Sequence, residues 1–151
     1  MFRSARFVIS AFLALGLTMT TAWADARKDA QEQTLAALAH IKKVGPDQAF
    51  KDFNTEAQWK NKGLNVNVVE FTGLVRASSL NDKLVGKNTL EAKDPNGKEF
   101  VKEFIKMSEK TDGGWVDYMF INPETKKLEE RSMYVRKIPS FNGFVGIAIT
   151  K

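Results

Sequence analysis

The chain has 151 residues, with 23 lysines and arginines against 18 acids and no cysteine. Disulfides, thiolate metal sites and cysteine nucleophiles are therefore excluded, and because basic and acidic residues are interspersed, the net charge of +5 suits solubility and not a nucleic-acid footprint. The length suits one domain with one core, since chains well above ~40 residues bury enough apolar surface without staples.

At the N-terminus, Arg3 and Arg6 precede an apolar run over residues 7–17, and Ala22-Trp23-Ala24 supplies the small-x-small pattern of a signal-peptidase site. The run is shorter than the ~20 apolar residues of a membrane span and is soon interrupted by Thr18, Thr20 and Thr21. Residues 1–24 thus read as a secretory leader cut after Ala24, with an uncleaved anchor as the alternative. Cleavage would leave a soluble periplasmic domain, residues 25–151, whose net charge falls to +3 with the loss of two arginines.

Residues 25–44 contain no proline or glycine and place Leu35, Leu38, Ile41 and Val44 at three-residue steps, which predicts a helix with an apolar stripe that a sheet must cover. Gly45 is expected to end it as a left-handed cap, and Pro46 to open a short second helix whose apolar face, Ala49, Phe50 and Phe53, runs out at Asn54. Residues 65–70 alternate apolar and polar at first and are rich in β-branched side chains, the pattern of a half-buried strand. Residues 74–77 return beside it through a turn near Thr72-Gly73.

The polar stretch 78–96 is longer than a compact domain keeps without a purpose, so it is the expected lid of a pocket. Within it, Lys87 and Asn88 read as turn-shaping residues. Asp94-Pro95 is expected to start a third helix, with Phe100, Phe104 and Met107 on one face, Lys106 and Lys110 complementing its dipole, and Gly113-Gly114 as its stop. Strands follow at 115–121, 128–138 and 144–150, joined by turns at Asn122-Pro123-Glu124 and at 139–143. Helices, a hairpin, a helix and a meander in that order give an α+β fold with one antiparallel sheet and helices packed on its faces.

Several ordered motifs resemble the single-Cache sensor domains of type 2, in the standalone exported form. They are Lys83-Leu84-Val85-Gly86-Lys87-Asn88 with Leu90, Lys93-Asp94-Pro95-Asn96-Gly97-Lys98 leading into Phe100, Gly114-Trp115-Val116-Asp117-Tyr118, the Asn122-Pro123 turn with Lys126-Lys127, Ser132 with Tyr134-Val135, and Gly146-Ile147. Gly45, Ala49, Phe53 and Asn54 also fit the segment after the family's long first helix. The resemblance implies a PAS-like five-stranded antiparallel sheet, a long N-terminal helix on one face, and a loop plus helix over a ligand pocket on the other. It further implies binding of small metabolites, often short carboxylic acids, by the input parts of chemoreceptors and sensor kinases. Two departures stand out: Glu70-Phe71-Thr72-Gly73 replaces the family's Asp-x-Asp-Gly turn, and Ala77-Ser78-Ser79 replaces an Ala-His-Gly type motif. A serine hydroxyl thereby stands where a histidine could bond a ligand carboxylate.

The candidate ligand-binding residues are Arg131, Tyr118, Tyr134, Ser132, Trp115 and Ser78. Arg131 falls where the family has a lysine, and its planar guanidinium matches a carboxylate; the alternative is a solvated residue beside Glu129 and Glu130. Tyr118 and Tyr134 combine an apolar body with a polar tip, as pockets use them, although core packing accounts for either equally well. Trp115 reads as pocket wall or as core. Strand alternation puts Ser132 and Tyr134 on one face and Arg131 and Met133 on the other, so a bulge is needed to bring all of them to one pocket.

Catalysis and metal binding find no support in the sequence. His40, the sole histidine, sits in the first helix without a nucleophile at recognisable spacing, and Glu129-Glu130 point to opposite faces of a strand. Asp94, Asn96 and Lys98 superficially resemble a calcium loop but lack its later acidic ligand. The expectation is a non-enzymatic domain without cofactor or metal, binding a small organic ligand and relaying occupancy by contact with a membrane receptor or sensor kinase. No nucleic-acid partner and no stable membrane insertion after cleavage are expected. The rival is a Cache-like interaction or structural protein whose pocket is filled.

Overall fold

The computed structural model describes residues 17–122 and 124–151. Residues 1–16 of the expected leader and Pro123 of the expected turn lie outside the described residues. The elements in chain order are α1 (Leu17–Val44), α2 (Pro46–Thr55), a 3-10 helix (Ala57–Gly63), β1 (Asn65–Glu70), β2 (Val75–Ser78), a 3-10 turn (Asp82–Leu84), α3 (Phe100–Ser108), β3 (Gly114–Ile121), β4 (Leu128–Lys137) and β5 (Gly143–Thr150). The strands form one antiparallel sheet in the order β2-β1-β5-β4-β3. The last strand therefore slots between the first hairpin and the rest of the meander, and the α+β architecture expected from the element order is the one observed.

Each sheet face carries its own core. On one face, Ala30, Ala37 and Ile41 of α1 and Phe50 and Phe53 of α2 pack on Val66, Val68, Val145 and Ile147. On the other, Val101 and Phe104 of α3 pack on Val69, Val116, Met133 and Phe144. Across α1 the buried stripe only partly matches the one expected: Ile41 is buried and Leu38 packs on the same core, but Leu35 is 51% exposed and Val44 37%, and Ala30, Thr34 and Ala37 complete the stripe instead. Three-residue steps each fall ~60° short of a full helical turn, so three of them wander halfway round the helix, while steps alternating between three and four hold one face. Two alanines in that stripe let the helix lie close to the sheet, and the Thr34 hydroxyl is satisfied by the Ala30 carbonyl at 2.8 Å. The described part of α1 starts ahead of residue 25, and Trp23 and Ala26 extend the same packing.

Gly45 has φ 87° and ψ 159°, so its ψ is extended instead of left-handed helical, and it serves as the N-cap of α2 with Pro46 in the first turn. His40 bonds Asp52 at 2.7 Å and lies against Phe53 and Trp59, tying α1 to α2. It is a packing residue on the helix face of the sheet. Phe53, fully buried, meets Trp59 edge-on at 4.8 Å between centroids.

The third helix begins later than Asp94-Pro95 suggests. α3 starts at Phe100 with Glu99 as N-cap, because Asp94 closes its own turn: its N–H donates to the Lys98 carbonyl, and Gly97 takes φ 80°. The Asp94 carboxylate instead accepts from three backbone N–H groups, Asn96 and Lys98 on Oδ1 and Met119 on Oδ2. Burial pushes its pKa up, but these donors and the Lys98 charge outweigh that and hold it below the usual carboxylate value. Both oxygens are thereby occupied, which argues against a calcium role. The Met119 bond, with that from the Lys98 ammonium to the Asp117 carbonyl at 2.6 Å, also covers part of the open edge of β3.

Candidate ligand-binding site

Between the sheet and the segment running from β2 to α3 lies a cavity of about 220 Å³. Its floor is the sheet face of Asn65, Asn67, Val69, Met133 and Phe144, and its roof comes from Leu80, Asn81, Leu84, Thr89 and Ala92 of the loop with Phe100, Val101 and Phe104 of α3. The polar stretch 78–96 expected as a lid occupies that place. It is fixed at its middle: Val75 N–H donates to the Lys87 carbonyl, Thr89 N–H to that of Gly73, and the Asn88 amide to that of Thr72 at 2.8 Å. Gly73, at φ 90°, must be glycine on both conformational and steric grounds, since a Cβ there would stand 2.5 Å from that of Leu90.

Strand parity decides which predicted residues reach the cavity. β4 pairs with β3 and β5 without interruption, so no bulge brings its two faces together. Arg131 and Tyr118, directly opposite each other, line the cavity. Ser132, Tyr134 and Trp115 do not, because they project to the α1 face. There Trp115 stacks beneath Arg27 at 4.3 Å and meets Tyr134 at 5.3 Å, the Tyr134 hydroxyl donates to the Asp112 carbonyl at 2.7 Å, and Ser132 is fully buried.

Ser78 reaches the cavity through a bulge elsewhere. Val68 pairs with Ala77 but Val69 pairs with Val75, leaving Arg76 as an extra residue in β2. Val75 then joins the cavity-side core and Ala77 the helix-side core, and the shifted alternation turns Ser78 onto the cavity wall. Arg76 itself goes to the helix side, paired with Glu70 at 2.7 Å and lying over Phe50 and Phe141.

Arg131 is the charged residue of the lining and is only 6% exposed. Its guanidinium lies 5.4 Å from the Phe120 ring centroid. Glu129 approaches its Nε at 3.4 Å, close enough to attract but too far off-axis to hydrogen-bond, so Nε is buried without a hydrogen-bond partner. Glu129 is steadied by the Asn122 amide at 2.9 Å and the Thr150 hydroxyl at 3.4 Å. Burial pushes the Tyr118 phenol up to about 12, against the pull of the neighbouring Arg131 and with a further push from Glu129. Tyr118 is therefore a neutral hydroxyl, stacked on Phe100 at 5.1 Å.

Asn65 and Asn67 escape sequence reasoning. Their alternation with Val66 and Val68 reads as a solvent-facing side, yet β1 is an interior strand and both asparagines line the cavity. The available signal was their residue type, since asparagine is depleted in strands and costly to bury unpartnered. Each gives one amide hydrogen to the main chain, Asn65 to Gly63 at 3.2 Å and Asn67 to Asn65 at 3.1 Å, and Asn67 Oδ1 accepts from the Ser78 hydroxyl at 3.1 Å. Among the described residues no group of three or more histidines, aspartates or glutamates is placed to hold a metal. No described helix is long and apolar enough to cross a membrane.

The model of the single Cache domain 2 family matches residues 26–150. The chain belongs to that family. Single Cache domains are sensor modules, not enzymes. Solved structures agree with this Cache fold at low identity. A methyl-accepting chemotaxis protein from Vibrio parahaemolyticus RIMD 2210633 is 18% identical with a TM-score of 0.69, over 86% of this chain and 92% of the other. A periplasmic sensor domain of a chemotaxis protein is 17% identical with a TM-score of 0.72, over 89% and 99%. A Cache chemosensory domain described in terms of carboxylic acid recognition is 14% identical with a TM-score of 0.70, over 88% and 98%. Comparison with curated proteins gives no match to the sequence.

Proposed function

We propose that this Cache domain is exported to the periplasm, holds a small organic ligand between sheet and lid with a carboxylate on Arg131, and is read by a membrane receptor or sensor kinase through direct contact. The observation that carries this is the buried Arg131 guanidinium, whose Nε has no hydrogen-bond partner and which faces a cavity otherwise lined by apolar and neutral side chains. Glu129 neutralises this charge without hydrogen-bonding it, and a ligand carboxylate offers the guanidinium two parallel charge-assisted bonds that Glu129 does not make. Tyr118 adds a neutral hydroxyl beside it. Ser78 supplies a hydroxyl in place of the family's histidine, at the other end of the cavity. The open cavity favours this reading over a pocketless interaction domain. Support for the ligand class also comes from the relative described by its carboxylic acid recognition.

Thermal-shift titration against small carboxylates, amines and amino acids tests the proposal, because a ligand that binds only the folded state raises Tm. Carboxylates are expected to raise it and Arg131→Met to abolish the rise. No shift across the panel, or a shift that survives the substitution, overturns it. Export is tested by finding the chain, shortened by its leader, in the periplasmic fraction; recovery only in the cytoplasm refutes that part.

A further inference from the structure

The cavity has two polar ends, and the second makes its own demand on a ligand. An asparagine side chain has two amide hydrogens. Asn65 and Asn67 each commit one to a main-chain carbonyl, so each keeps a second for the cavity that both line. Asn65 is 8% exposed, and an amide this buried gains from a partner.

The distance between the ends follows from the sheet. Arg131 pairs with Thr150 and Asn65 with Ala148, so the two residues stand on opposite sides of β5 and two residues out of register. Strand spacing of ~4.8 Å and a rise of ~3.4 Å per residue put their Cα atoms roughly 12 Å apart. The guanidinium leans farther away, toward Phe120 on β3. After a hydrogen bond of about 2.9 Å at each end, a bridging molecule covers on the order of 6 Å, a chain of about five atoms. The cavity volume of about 220 Å³ leaves room for a molecule of that length. Met133, which pairs with Ala148 between the two ends, lines the cavity there, so the middle of the molecule is apolar.

Resting on the reading of Arg131 as the carboxylate site, we infer that the ligand is an elongated monocarboxylic acid of medium chain length. A neutral hydroxyl or carbonyl oxygen at its far end is received by Asn65 and Asn67. The far group is neutral because, among the described residues, Arg131 alone of those lining the cavity is charged, and a second carboxylate there would be buried with no counter-charge. Two- and three-carbon acids reach one end only.

Calorimetric titration of the purified full chain with 6-hydroxyhexanoate, hexanoate, adipate and propionate decides the matter. 6-Hydroxyhexanoate is expected to bind about three- to tenfold tighter than hexanoate, the net gain of one hydrogen bond, and tighter than adipate or propionate. Asn65→Val, which suits a strand, is expected to erase that preference, so that the variant binds 6-hydroxyhexanoate no tighter than hexanoate; the wild-type comparison stands even if this variant fails to fold. Equal binding of hexanoate and its hydroxy acid, a preference for adipate, or binding of propionate alone overturns the inference and leaves Arg131 as the carboxylate site. Failure of all four to bind overturns the Arg131 reading as well.

Discussion

Replacing Arg131 with methionine separates binding from stability, because affinity is expected to collapse while the fold is largely kept. The substitution keeps side-chain length, removes a guanidinium that is 6% exposed, and deletes an off-axis ion pair to Glu129. Exchanging buried ion pairs for apolar residues is commonly neutral or stabilising by ~1–4 kcal/mol. Glu129 is not stranded, since Asn122 and Thr150 still hold it and its side chain is 19% exposed. Loss of the Phe120 contact returns about 0.5–1 kcal/mol, partly recovered by the thioether against the ring. The net runs from a loss of about 1 kcal/mol to a gain of about 3.5 kcal/mol, so Tm falls by no more than about 4 °C for a chain of this size. Charge-assisted hydrogen bonds contribute ~1.5–3 kcal/mol, so carboxylate affinity should fall by about 10- to 150-fold. Scanning calorimetry of the ligand-free variant and titration with hexanoate read the two effects. A fall in Tm of more than about 4 °C with carboxylate binding intact would refute the reasoning and make Arg131 a structural residue.

Further predictions follow from other parts of the fold. Because the folded Tyr118 pKa of about 12 lies above its ordinary value of 10.0, its stabilising contribution is complete below pH 10 and disappears as pH rises toward 12. Tyr118→Phe should flatten the alkaline limb of stability by roughly 3 kcal/mol between those pH values, measured by urea unfolding, and an unchanged limb counts against the assignment. Phe53→Ala removes a fully buried ring from the helix-side core and should cost about 3–5 kcal/mol while hexanoate still binds the folded fraction; a loss of less than about 1.5 kcal/mol contradicts the packing described. The depressed Asp94 pKa means that its clamp is present above the ordinary carboxylate value and is lost as pH falls below it. Asp94→Asn, which turns an amide N–H toward that of Met119 or forfeits the Asn96 and Lys98 bonds, should accelerate hydrogen exchange at Met119 and lower Tm at pH 7. Wild-type exchange there would show that the loop is held otherwise.

The sequence by itself determined the order and type of the elements, because those rest on local chemistry. β1 was delimited by its β-branched run, α2 by Pro46 and its Ala49, Phe50, Phe53 face, and the last three strands by the turns between them, all within a residue or two of where they stand. It also yielded the parity of β4, and hence the incompatibility of Arg131 with Ser132 and Tyr134 as residues of one wall. What it could not yield depends on neighbours distant in the chain. The buried stripe of α1 depends on where the sheet lies, the late start of α3 on Asp94 finding Met119 across the loop, and the turn of Ser78 toward the cavity on the pairing slip at Arg76. The clearest case is Asn65 and Asn67, which alternate like solvent-facing residues. They line a cavity only because the segment from β2 to α3 folds back over that face of the sheet, and a strand's own residues carry no record of what will cover its second face.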